Sequence, residues 1–175
     1  FYLNLSYYLN PKFKFNLSLA AENYYTNNQY AKVQKVLQNF NKNDEFYYWF
    51  RKKKEAQIII KQKGEDKGID YITTEFEKIE KPNLKMIFDM ANFYKNSKKY
   101  KKAIVLYSQI ISSLKTDTKI KSDLLYRRGG SYERLGNYNM SDKDLLYSMK
   151  INSDDAYILN YLAYSWLERD YKIDE

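Results

Sequence analysis

Residues 84–117 read LKMIFDMANFYKNSKKYKKAIVLYSQIISSLKTD. Ile104, Tyr107, Ile110, Ile111 and Leu114 recur at i, i+3, i+4 and i+7 spacing, which lays side chains along one stripe of a helix. The polar stretch Asn96-Ser97-Lys98-Lys99 breaks the segment, so the spacing predicts two antiparallel helices joined by a short turn. Ala91 in the first helix and Ala103 in the second are the small residues of this unit, and both belong to ladders that run through the chain. Ala21, Ala56, Ala91, Gly129 and Ala163 stand at intervals of 35, 35, 38 and 34 residues. Three residues after each comes a large one: Tyr24, Ile59, Tyr94, Tyr132 and Trp166. Twelve residues after the first four come Val33, Gly68, Ala103 and Ser141, and sixteen after come Leu37, Ile72, Tyr107 and Leu145. A period in this range marks a helical repeat array, in which each unit buries its apolar face against its neighbours.

Two helices of a hairpin approach closely only where a side chain shrinks to a methyl or a hydrogen, and the large residue three positions on fills the groove beside the contact. Gly130 follows Gly129 at once and has no place in the ladder, which marks its helix as locally soft. Further turns are expected at Thr26-Asn27-Asn28-Gln29, Lys63-Gly64-Glu65-Asp66 and Leu135-Gly136-Asn137, with Gly136 suited to the left-handed residue that closes a helix. Pro11 and Pro82 sit where one helix should stop and another begin. The spacing has no sustained strand-type alternation.

Composition limits the chemistry. Hydrophobic residues make up 44% of the 175-residue chain, too many for a disordered one. Histidine and cysteine are both absent, which excludes disulfides, thiolate nucleophiles, zinc sites of the usual ligands and histidine general bases. No apolar run reaches the ~20 residues of a membrane span. The formal charge of +8 is uneven, since the residues from Asn152 onward carry −4 and those before them +12. Basic runs occur at Arg51-Lys52-Lys53-Lys54 and at Lys98-Lys99 with Lys101-Lys102. Such runs are usually solvated helix faces; the alternative is contact with nucleic acid or an anionic membrane.

The residues resemble tetratricopeptide repeats. The unit at 84–117 carries Ile87, Met90-Ala91, Tyr94, Tyr100, Ala103, Tyr107 and Ile110-Ile111 at that family's signature places. The unit at 122–155 follows with Leu125, Gly129, Tyr132, Gly136, Tyr138 and Leu145, with Ser141 and Ser148 in place of the usual alanines. The unit at 14–47 uses Leu17, Ala20-Ala21, Tyr24, Tyr30, Val33, Leu37 and Phe40. The unit at 49–82 is the most divergent, because Lys52 and Glu55 occupy places where the family prefers apolar residues. Residues 1–11, with Leu3, Ser6, Tyr7, Leu9 and Pro11, match the second helix of a preceding repeat. Residues 156–175, with Leu159, Leu162-Ala163 and Trp166, match the start of a fifth. The resemblance implies an all-α fold, an α-solenoid of antiparallel helix pairs wound as a right-handed superhelix. The segment from Leu159 to Arg169 is similar to a variant common in long bacterial repeat proteins. Some of those are attached to the cell envelope on its periplasmic side; a cytoplasmic location is the alternative. Both ends look cut, and the stripes Leu3, Tyr7, Leu9 and Leu159, Leu162, Trp166 are expected to self-associate.

The resemblance also implies that first helices line a concave groove for a protein or peptide partner. By register the groove candidates are Tyr25 with Glu22; Lys53, Gln57 and Ile60; Phe88, Asn92 and Lys95; Tyr126, Gly130 and Glu133; Asn160, Tyr164 and Leu167. Lys53 and Asn92 match fragments of the clamp by which chaperone-binding members hold a terminal carboxylate, but Phe88, Tyr126 and Gly130 break it. The acidic pairs Asp154-Asp155 and Glu65-Asp66 fall at helix starts, where the helix dipole favours acids. Arg127-Arg128-Gly129-Gly130 lies within a helical pattern, unlike the arginine–glycine tracts that bind RNA, and the sequons at Asn4, Asn16 and Asn139 fall in or beside helices. The sequence therefore points to a scaffold for protein–protein interaction, without catalytic residues, cofactor or metal. Nucleic-acid binding through the basic surface is the alternative, although the groove positions show no recurring polar pair of the kind that reads bases.

Overall fold

The computed structural model describes Asn10 and residues 13–170, and among them every regular element is a helix. The stripe proposed at Leu3, Tyr7 and Leu9, with Pro11, lies outside the described residues. The chain divides into two compact units, Phe1–Glu80 and Lys81–Glu175. The first holds α1 (Lys14–Thr26), α2 (Tyr30–Leu37), α3 (Glu45–Lys63) and α4 (Glu65–Glu77). The second holds α5 (Leu84–Asn96), α6 (Tyr100–Ser113), α7 (Lys119–Glu133), α8 (Tyr138–Ile151) and α9 (Ala156–Leu167). Consecutive helices pair as hairpins, α1 with α2, α3 with α4, α5 with α6 and α7 with α8. In the second unit α7 also packs on α6, and α9 on α8.

The helices start and stop for local reasons. Asp44, Asn83, Thr118, Asn137 and Asp155 each turn a side-chain oxygen onto a backbone N–H of the first turn, meeting one of the donors a helix start leaves unpaired. Three hairpins then turn alike. Asn28, Lys98 and Gly136 adopt positive φ of 57°, 57° and 72°. The next backbone N–H (Gln29, Lys99, Asn137) reaches the carbonyl of Tyr24, Tyr94 or Tyr132 at 2.8, 2.8 and 3.0 Å. The large residue three positions beyond each small one thus closes the turn as well as filling the groove. The second hairpin turns one residue later, at Gly64 with φ 97°, and α3 begins at Glu45, ahead of the repeat start expected at 49.

The ladders form the core. Ala21, Ala56 and Ala91 are fully buried, as are Val33, Ala103 and Ser141 and, beneath them, Ile72, Tyr107 and Leu145. Of the two serines in alanine places, Ser141 Oγ is buried without a hydrogen-bond partner among the described residues, whereas Ser148 is satisfied: Ser122 Oγ donates to the Ser148 carbonyl at 2.9 Å and Ser148 Oγ to the Ser122 carbonyl at 2.7 Å. Ala163 is exposed, and the helix expected opposite it falls outside the described residues. The expected end stripe is corrected here. Leu162 is buried against the preceding hairpin and Trp166 is half-buried, its indole N–H donating to Asp142 Oδ1 at 3.0 Å. The large apolar residues that α9 leaves exposed are Tyr157, Leu159, Tyr164 and Leu167. Ala91, with no exposed surface, sets the tightness of the α5–α6 pair, so Ala91→Leu should cost about 1–3 kcal/mol through overpacking. A urea midpoint equal to that of the parent chain would contradict this register.

Candidate functional site

In the second unit α5 and α7 carry the candidates Phe88, Asn92, Lys95 and Tyr126, and the side chain that gathers them is one the groove register omitted. Arg127 stacks its guanidinium over the Phe88 ring, 5.4 Å from the centroid. Its Nη1 donates to Asn92 Oδ1 at 3.3 Å and its Nε to Asp123 Oδ2 at 2.8 Å. Asn92 Oδ1 also accepts from the buried Tyr107 hydroxyl at 2.7 Å, and burial raises the pKa of that phenol. Tyr126 meets Tyr161 of α9 edge to face, ring centroids 5.5 Å apart. Two clefts share Tyr126 and Arg127 in their walls. One, of about 260 Å³, reaches Lys95, Gly130, Arg134 and Tyr161; the other, of about 210 Å³, reaches Asp123, Asp155, Tyr157 and Ile158.

Arg127 stands two residues before the small residue of its helix and contacts the residue just after the small residue of the preceding unit. The same register holds elsewhere. Lys54, two before Ala56, is almost fully buried and pairs with Glu22, one after Ala21, at 2.8 Å. Its ammonium also lies 4.4 Å from the centroid of the Tyr25 ring. Tyr161, two before Ala163, lies over Gly130, one after Gly129: a Cβ on Gly130 would meet its hydroxyl at 3.2 Å. Gly130 therefore has a place after all, as the residue that lets α9 settle on α7. Tyr161 is fixed there by donating to Glu133 Oε2 at 2.7 Å. Glu22, Asn92 and Gly130 thus serve contacts between successive repeats, which their groove register did not reveal.

The basic run at 51–54 is neither a solvated face nor a free cationic patch. Arg51 Nε binds Glu55 Oε1 at 2.7 Å, and Lys52 Nζ binds Glu55 at 3.3 Å and Glu75 of α4 at 3.0 Å. The Tyr71 hydroxyl donates to Glu55 as well. Lys52 and Glu55, which depart from the apolar pattern, thus join α3 to α4 through a polar cluster. Burial pushes the Glu55 carboxyl up, but the Tyr71 hydroxyl, Arg51 and Lys52 outweigh it and hold the group below the usual glutamate range. Against the same burial, Lys78 and Lys52 hold Glu75 low. Carboxylates with folded pKa values below the unfolded one of about 4.3 stabilise the fold fully above that pH. That stabilisation is lost as pH falls through the folded values. Urea titrations should show stability falling on acidification below about pH 4.3, with a shallower fall in Glu55→Gln. Identical pH slopes for the two proteins would contradict the cluster.

No family model matches the sequence, and no curated protein matches it. Solved structures do match in fold. MamA MSR-1 superposes over 90% of this chain and 87% of its own, with 13% identity and a TM-score of 0.61. Cut9, in the APC/C hetero-tetramer Cut9–Hcn1, covers 97% of this chain with 32% of its own length, at 13% identity and a TM-score of 0.62. PilF of Pseudomonas aeruginosa covers 90% of this chain and 69% of its own, at 10% identity and a TM-score of 0.59. These are helical-repeat proteins of one type. The fold is that of the tetratricopeptide α-solenoids.

On that fold, Phe88, Asn92, Lys95 and Tyr126 share one face of the second unit around Arg127. Asn160 and Tyr164 lie on the exposed side of α9, outside both clefts, and the Tyr164 hydroxyl donates to Glu168. Tyr25, Lys53 and Gln57 belong to the first unit; Tyr25 packs on Tyr30 at 5.9 Å between centroids. Lys53 and Gln57 are half-buried on α3, and Gln57 Oε1 is buried without a hydrogen-bond partner among the described residues. Among the described residues no helix is long and apolar enough to cross a membrane.

Proposed function

We propose that this chain is a non-enzymatic scaffold that holds a segment of a protein partner along the first helices of its tetratricopeptide repeats. The observation that carries the reading is the face of the second unit where Tyr126 and Arg127 line two open clefts, with Tyr161 in the larger and Phe88 beneath the Arg127 guanidinium. Aromatic rings give large contact area at small cost in side-chain entropy, and aromatics with arginine dominate the energetics of protein interfaces. The tetratricopeptide-type fold supports the same reading at the level of architecture. Nucleic-acid binding has less support, because Arg51, Lys52 and Lys54 are engaged in ion pairs within the first unit.

The test is affinity capture with the chain as bait, from cells that express it, in parallel with the double variant Phe88→Ala/Tyr126→Ala. Both rings are half-buried, so circular dichroism must first establish that the variant is folded. The expected result is loss of the captured protein, with affinity for the purified partner down by about thirtyfold or more, as for two interface anchors of at least 1 kcal/mol each. Unchanged affinity in a folded double variant would place the binding face elsewhere. Salt-sensitive capture of RNA in place of protein would overturn the proposal.

A further inference from the structure

The larger cleft beside Tyr126 has an unbalanced charge. Three of its lining residues are cations, Lys95 from α5, Arg127 from α7 and Arg134 just past the end of α7, and none is an acid. Arg127 is compensated by Asp123. Lys95 is half-buried and has no ion-pair partner among the described residues, while Arg134 lies 3.7 Å from a Glu133 carboxylate that already accepts from Tyr161. The half-buried Tyr126 hydroxyl has no hydrogen-bond partner among the described residues either. The phenol and the ammonium thus line the cleft as donors free of protein partners among the described residues. Gly130 forms the floor, and Tyr161, held by Glu133, forms a wall.

We infer that this cleft is a receptor for the carboxylate side chain of an aspartate or glutamate in the partner segment. The inference rests on the proposed protein-binding function and specifies its chemistry. The volume of about 260 Å³ is below the roughly 300–1,000 Å³ of pockets that enclose a whole small molecule, and it suits a single side chain whose backbone stays outside. An incoming carboxylate accepts from Lys95 and Tyr126 and faces Arg134, and such charge-assisted hydrogen bonds are the stronger kind. Burial, with repulsion from Arg127, lowers the pKa of Lys95 against the opposing pull of Asp123. A bound anion relieves that penalty. Lys95 and Arg134 differ in place from a clamp for a terminal carboxylate, and the positions such a clamp would need are held by Phe88, Tyr126 and Gly130.

The test uses the intact chain labelled with [13C]lysine, with the Lys95 signal assigned through Lys95→Arg. Three probes are titrated: N-acetyl-glutamate amide, its neutral isostere N-acetyl-glutamine amide, and N-acetyl-phosphoserine amide. The expected result is a saturable shift of Lys95 with the glutamate probe and none with the glutamine probe, while the exposed Lys101 stays still. Arg134→Gln should weaken the response about tenfold, the loss of one charge-assisted contact. Gly130→Ala, which adds a methyl 3.2 Å from the Tyr161 hydroxyl and narrows the cleft, should weaken it in a variant whose circular dichroism and urea midpoint match those of the parent. Equal responses to glutamate and glutamine, a Lys95 shift no larger than that of Lys101, or a response to phosphoserine alone would each overturn the assignment. The readout needs no partner, so the two proposals fail separately. A silent Lys95 leaves the Phe88–Tyr126 face standing, whereas a responsive Lys95 with a partner indifferent to Phe88→Ala/Tyr126→Ala defeats the groove and leaves the receptor.

Discussion

Asp144→Ala is expected to lower stability by about 3–5 kcal/mol, the range for breaking a buried ion pair from one side. Asp144, on α8, is almost fully buried and binds Arg128 of α7 in bidentate fashion, Nε to Oδ2 at 2.6 Å and Nη2 to Oδ1 at 2.7 Å. Arg128 Nη1 also donates to Ser108 Oγ of α6 at 2.9 Å, so one guanidinium ties three consecutive helices. Removing the carboxylate leaves a cation in a site where its side chain is 15% exposed, with the Ser108 hydroxyl as its remaining hydrogen-bond acceptor among the described residues. Replacing both partners by apolar residues, as in Arg128→Met/Asp144→Leu, should cost far less than the single change, because no buried charge is left over. Urea unfolding of the parent, the single variant and the double variant measures this directly. A loss below about 1 kcal/mol for Asp144→Ala would mean that the pair is screened like a surface salt bridge.

Gly68→Val should cost about 2–3 kcal/mol, near the upper end of ordinary overpacking. A Cβ at Gly68 would stand 2.3 Å from Ile60 Cγ1, 2.9 Å from the Ala56 carbonyl oxygen and 3.0 Å from the Ile60 backbone nitrogen. The Ile60 side chain can rotate away, but the backbone of α3 cannot move without parting the α3–α4 hairpin. Alanine at the same position meets the same backbone and recovers about 1 kcal/mol of helix propensity, so the expected order of thermal midpoints is glycine, then alanine, then valine. An alanine variant as stable as the parent would show that α4 does not approach α3 at that point.

The ladder of small residues was legible because close approach of two helices restricts a position to a methyl or a hydrogen, whatever surrounds it. Ala21, Ala56 and Ala91 are buried for that reason, and Gly136 turns the chain where its spacing placed it. The second repeat read poorly because Lys52 and Glu55 were judged by the hydrophobicity of their places. Their partners, Tyr71 and Glu75, sit on the other helix of the hairpin, where a polar cluster can replace an apolar contact. Arg127 and Lys54 were missed although a signal existed, a cation two residues before the small residue in two units. Gly130 looked unexplained because its reason, the ring of Tyr161, lies in the next unit. The charge imbalance at Lys95 had no sequence signature, since it depends on which cations on separate helices find a counter-charge.

Photocrosslinking tests the central claim, that the face around Arg127 holds a protein segment. Benzoylphenylalanine is placed at Asn96, which is exposed and lines the larger cleft, and separately at the exposed Val105 of α6. After irradiation in cells, adducts are isolated and the crosslinked peptide is sequenced by mass spectrometry. The account predicts a discrete protein adduct from position 96, mapping to a segment with an aspartate or glutamate at or next to the crosslink, and none from position 105. Adducts from 105 with none from 96 would contradict it.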